Sequence, residues 1–102
     1  MDNRLILGGR VSKCEQTRYS PAGLPITRFV LEHHSTQMEA GLSREARCRI
    51  AVVVSGEPLT DKVAQLSVGS QLRVTGFISR MSHRQSESRL LLHAEDIEFL
   101  EF

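Results

Sequence analysis

No tryptophan and only one tyrosine occur among the 102 residues, and aromatics make up 5% of the chain. Recognition by ring stacking therefore has few platforms to use. Cysteine is equally sparse: Cys14 and Cys48 stand apart with no Cys-x-x-Cys pair, so no disulfide scaffold is in view and both are expected as buried free thiols. No apolar run approaches the roughly 18 residues a membrane helix requires, which excludes a helical span. Met1-Asp2-Asn3-Arg4 lacks the basic and apolar regions of a secretory signal, and a cytoplasmic location is expected.

What is present fits one domain over residues 1–102, long enough to bury roughly 65% of its unfolded surface without staples. The net charge of +1 hides an asymmetry: all 13 Lys and Arg precede residue 91, whereas Glu95, Asp96, Glu98 and Glu101 make the end acidic. Most of the cations are arginine, whose planar guanidinium suits phosphate and stacking on rings.

Hydrophobic periodicity points to strands throughout. Leu5, Leu7, Gly9 and Val11 alternate with Arg4, Ile6, Gly8 and Arg10, a first strand bent at Gly8-Gly9 and expected to run on to about Tyr19. Pro21, Gly23 and Pro25 then form a turn. In the second strand, Ile26 to Ser35, Phe29, Leu31 and His33 share one face. Thr36 to Arg44 reads as an exposed polar loop turning at Gly41. A third strand, Glu45 to Ser55, places Ala46, Cys48, Ile50, Val52 and Val54 opposite an outer face bearing Arg47 and Arg49. Leu59, Val63 and Leu66 recur at helical spacing after Pro58, which predicts one short helix.

A fourth strand carries Leu72, Val74, Gly76 and Ile78 inward, with a bulge or bend expected at Gly76. Arg80 to Arg89 reads as a basic hairpin loop. The fifth strand runs from Leu90 to Leu100, with Leu90, Leu92 and Ala94 inward and an interruption at Glu95-Asp96. An all-β chain of five strands with a helical connector between strands 3 and 4 has the order of an OB-fold barrel.

Nothing in this layout assembles a catalytic centre. His33 and His34 are adjacent and point to opposite faces of a strand, and His83 and His93 lie far along the chain, so no metal-ligand spacing emerges. His33 and His93 are expected as inward or rim residues with satisfied nitrogens. Phosphate-loop, nucleophile-elbow and zinc-protease motifs are missing. The basic groups are more informative: Arg44, Arg47 and Arg49 gather at the entry to strand three, and Arg80, His83, Arg84 and Arg89 in the last loop. OB-folds bind single strands on that face and with those loops, gaining affinity from counterion release. Phe29, Phe77, Phe99 and Phe102 are expected in the core or at the chain end, so such binding would lean on charge.

Asn3-Arg4-Leu5-x-Leu7, Ser20-Pro21-x-Gly23-x-Pro25, Phe29-Val30-Leu31-Glu32-His33, Glu39-Ala40-Gly41, Val54-Ser55-Gly56, Val68-Gly69-Ser70, Gly76-Phe77-Ile78-Ser79 and Leu92-His93-Ala94-Glu95 follow in order nearly from end to end. In this series the chain resembles the primosomal replication protein N (PriB) family, small bacterial relatives of single-strand DNA-binding protein. The resemblance implies a homodimeric OB-fold without cofactor or enzymatic activity, paired through its N-terminal strand. It implies binding of single-stranded DNA, and partnership with the restart helicase PriA and with DnaT during helicase reloading at stalled forks.

The family's DNA-contacting positions would be Arg18, His34, Leu42, Arg44, Arg47, Ser82, Arg84 and Arg89. Arg18, Arg44, Arg84 and Arg89 keep a cation, while His34 and Ser82 replace one. Leu42 and Arg47 stand where the best-known members carry aromatics, so weaker, strongly salt-dependent binding is expected, since stacking contributes ~1–3 kcal/mol per base. The alternatives are a general single-strand binding protein, or an OB-fold acting mainly through protein contacts; an OB-fold nuclease is disfavoured by the scattered acids.

Overall fold

The computed structural model describes residues 1–80 and 89–100. Its strands are β1 (Leu5–Cys14), β2 (Arg18–Tyr19), β3 (Pro25–Glu39), β4 (Leu42–Ser55), β5 (Gln71–Arg80) and β6 (Leu90–Phe99). Between β4 and β5 lie α1 (Leu59–Lys62) and a 3-10 turn at Val63–Gln65. The sheet runs β1-β5-β6-β4-β3-β2, and β1 also pairs with β3. That second pairing closes β1, β3, β4, β6 and β5 into a barrel, with β2 a two-residue addition to the edge of β3. All pairings are antiparallel except β4 with β6. This is the OB-fold arrangement expected from the periodicity.

The barrel is filled by one side of each strand. Val11, Phe29, Leu31, Val52, Val54, Leu72, Val74, Leu92 and Ile97 are fully buried, each worth ~1.5–3 kcal/mol of transfer from water. Val63, from the helical connector, plugs the cluster, and Leu59 and Leu66 pack on it. Small residues allow two close approaches. A Cβ on Gly9 would lie 2.5 Å from the Glu32 carbonyl oxygen, and one on Gly76 would overlap the carbonyl of His93. Both glycines therefore let neighbouring strands cross where the barrel bends.

Several expectations are corrected. β1 ends at Cys14 rather than continuing to Tyr19, because Arg18 and Tyr19 turn back to pair with Ile26 and Pro25. Thr36 to Arg44 is not a loop: β3 and β4 stay in register to Glu39↔Leu42, joined by Ala40 and Gly41 alone. Both turn residues have positive φ, 52° and 78°, as a two-residue hairpin matched to strand twist requires. The bulge near Gly76 falls on the partner strand, since Thr75 faces Asp96 and Gly76 faces Ala94, leaving Glu95 as the extra residue. That insertion explains the interruption at Glu95-Asp96. Leu92 and Ala94 face the core as expected, but Leu90 is exposed and Leu91 is also buried.

The thiols divide as well. Cys14 is half-buried beside the Leu66 carbonyl, and burial pushes its thiol up from the ordinary value of 9.0. Cys48 is exposed rather than buried, because its part of β4 has left the barrel core. Phe77 and Phe99 are likewise partly exposed on the outer surface. No helix among the described residues is long and apolar enough to cross a membrane.

Candidate nucleic-acid interface

The long hairpin of β3 and β4 has two sides with different chemistry. In register, Glu32↔Arg49, His34↔Arg47 and Thr36↔Glu45 share the side that continues the outer surface of the barrel. Glu39↔Leu42 and Gln37↔Arg44 share the opposite side, which continues the core-facing row of Phe29 and Leu31. Arg47 and Arg49 therefore belong together, whereas Arg44 and Leu42 are turned away from them. The grouping of Arg44 with Arg47 and Arg49 at one loop entry is corrected accordingly.

Each of these cations already has an anionic neighbour. Arg47 lies 3.5 Å from Glu45, and His34 Nε2 lies 3.6 Å from the same carboxylate. Arg49 pairs with Glu32 at 3.3 Å and Arg44 with Glu39 at 3.5 Å. Arg18 meets Glu15 at 3.9 Å. All are solvent-exposed, so each pair contributes ~0–1 kcal/mol and can be exchanged for a phosphate at little cost. A cleft of about 630 Å3 opens where β1 leaves β3, lined by His34, Arg47 and Arg49 from the outer side of the hairpin, by His33 and Cys48 from the other, and by Gly9, Arg10 and Gln71. Ser82 and Arg84 lie outside the described residues; Arg89 is exposed immediately before β6.

His33 lies on the inward side with both ring nitrogens satisfied, whereas His93 lies on the outer surface of the barrel. His33 spans Gly8 and Ser35, and His93 Nε2 sits 2.6 Å from the Ser79 hydroxyl. His93 also lies flat against Phe77, with ring centroids 4.7 Å apart and planes 11° from parallel. Residue type alone places Phe77 in the core, but it alternates with Leu72, Val74 and Ile78 and so takes the outer face.

Residues 3–96 match the family described as "Another single-strand binding protein family". The replication restart protein PriB of Yersinia pseudotuberculosis is 50% identical over 99 residues, covering 97% of this chain and 94% of its own length. The chain belongs to the PriB family. PriB of Photorhabdus laumondii is similar at 50% identity over the same shares. Among solved structures, PriB from Ralstonia solanacearum superposes with a TM-score of 0.82 at 27% identity, covering 99% of this chain and 100% of that one. A Plasmodium falciparum single-strand binding protein, solved with single-stranded DNA, shares the fold at a TM-score of 0.78 and 16% identity, over 99% and 97% of the two chains. In the PriB fold the two-sided hairpin projects beyond the barrel from the edge where β1 leaves β3.

Proposed function

We propose that this PriB-family protein binds single-stranded DNA as a homodimeric accessory of the replication-restart primosome. It stabilises PriA helicase on DNA and helps recruit DnaT for helicase reloading, working in the cytoplasm by binding rather than catalysis. The observation that carries the reading is the outer row of His34, Arg47 and Arg49 beside an open cleft, on a chain half identical to replication restart proteins. Guanidinium groups there exchange a weak carboxylate contact for a phosphate, and counterion release from DNA drives the exchange. Arg47 also offers a plane on which a base stacks. Leu42 and Arg44 reach the strand from the other side of the hairpin, Arg18 on β2 and Arg89 before β6 extend the track, and Ser82 and Arg84 are further contacts.

The test is a fluorescence-anisotropy titration of labelled oligo-dT at several salt concentrations, with wild type and an Arg44→Ala/Arg47→Ala/Arg84→Ala variant. Binding that weakens steeply with salt and is abolished in the variant is expected. No binding even at low salt would overturn the reading and leave a protein that works through protein contacts.

A further inference from the structure

Register across the barrel produces an arrangement that lies away from the hairpin tip. Phe77 faces His93, His93 faces Val53, and Val53 faces Arg28. These side chains therefore form one line across β5, β6, β4 and β3 on the outer surface, about 4.8 Å apart from strand to strand. A groove of about 500 Å3 runs over the His93, Val53 and Arg28 part of this line, with Ile26, Val53 and Leu91 in its apolar part and Arg18, Tyr19 and His93 around it. That volume lies within the roughly 300–1,000 Å3 of small-ligand sites.

Three properties point to one kind of occupant. Tyr19 is 71% exposed on the two-residue strand β2, where its ring borders the groove. His93 is held flat by Phe77 behind it and by the Ser79 hydroxyl, so its orientation is set before a ligand arrives. Arg28 forms no ion pair with a described residue, unlike Arg18, Arg44, Arg47 and Arg49. Glu15 also borders the groove, and Arg18 occupies it. An unpaired guanidinium beside an apolar floor and two flat rings matches a nucleotide, whose base prefers the rings and whose phosphate prefers the cation.

We propose that this groove is a nucleotide subsite for single-stranded DNA, with a base against Tyr19 and His93 and a phosphate on Arg28. The subsite rests on the single-strand reading above and extends it. Arg28 and His34 lie on the same side of β3, six residues and about 20 Å apart, so a strand crossing the hairpin reaches the groove along one continuous surface. The rings that Leu42 and Arg47 do not offer are thereby supplied at the other end of the track.

Tyr19 is the only tyrosine and tryptophan is absent, so the protein's intrinsic emission reports on this groove. Unlabelled oligo-dT is titrated against tyrosine emission, with free tyrosine amide as the absorbance control, beside the anisotropy titration of the labelled strand. Quenching that saturates with the anisotropy signal is expected, together with a fivefold or greater weakening in Arg28→Ala and in Tyr19→Ala. An anisotropy rise with unchanged tyrosine emission and wild-type affinity in both variants would overturn the subsite while leaving single-strand binding intact. No anisotropy rise at low salt would overturn both.

Discussion

His33 carries β1 and β3 past the point where their ladder stops, its Nδ1–H donating to the carbonyl of Gly8 at 2.6 Å. The backbone pairing of these strands ends at Arg10↔Glu32, so an imidazole takes over from a peptide N–H at the next position. Because the Gly8 carbonyl can only accept, Nδ1 must hold the proton, and Nε2 then accepts from the Ser35 hydroxyl at 2.7 Å. Removing the ring leaves a strand carbonyl without its donor. His33→Ala is expected to cost about 1–2 kcal/mol, lowering Tm by several degrees in a domain of this size. Thermal unfolding followed by circular dichroism checks it, and an unchanged Tm would show that water replaces the strap at no cost.

The tip of the hairpin holds a residue poorly suited to its place. Ala40 sits at φ 52°, a left-handed conformation that asparagine tolerates far better. Ala40→Asn ahead of Gly41 is expected to stabilise the protein by ~1 kcal/mol, since a left-handed L-residue costs roughly 1–2 kcal/mol and asparagine relieves part of that. A rise in the urea midpoint at constant slope is the signature, and a fall would contradict the two-residue turn.

Glu45 restrains two groups of the outer row, Arg47 and His34. A phosphate arriving there displaces this carboxylate and is repelled by it. Glu45→Gln is accordingly expected to tighten oligo-dT binding about two- to fivefold at low salt, the scale of an exposed ion pair. Glu57→Gln, in the turn before α1, is the control of equal charge. Equal gains in both variants would assign the effect to net charge rather than to release of Arg47.

Legibility followed burial. Phe29 with Leu31 and Leu72 with Val74 were readable because each alternation faces one core, and Leu59, Val63 and Leu66 marked the helical connector for the same reason. Thr36 to Arg44 showed no such signal, since strands that have left the barrel have water on both sides and no apolar row to display. The sides of Arg44 and Arg47 were hidden by the same absence of pattern. The line from Phe77 to Arg28 was beyond periodicity altogether: it depends on the parallel pairing of β4 with β6, strands far apart in sequence whose register only the closed barrel determines. Family resemblance, by contrast, named the hairpin residues without showing which of them look the same way.

The hairpin is anchored at its base by the core and closed at its tip by Ala40 and Gly41. Lengthening or shortening it in evolution or in the laboratory can proceed only by matched pairs, one residue from each strand. A single inserted residue would leave one strand out of step and exchange its cationic side for the other, turning a length change into a change of surface.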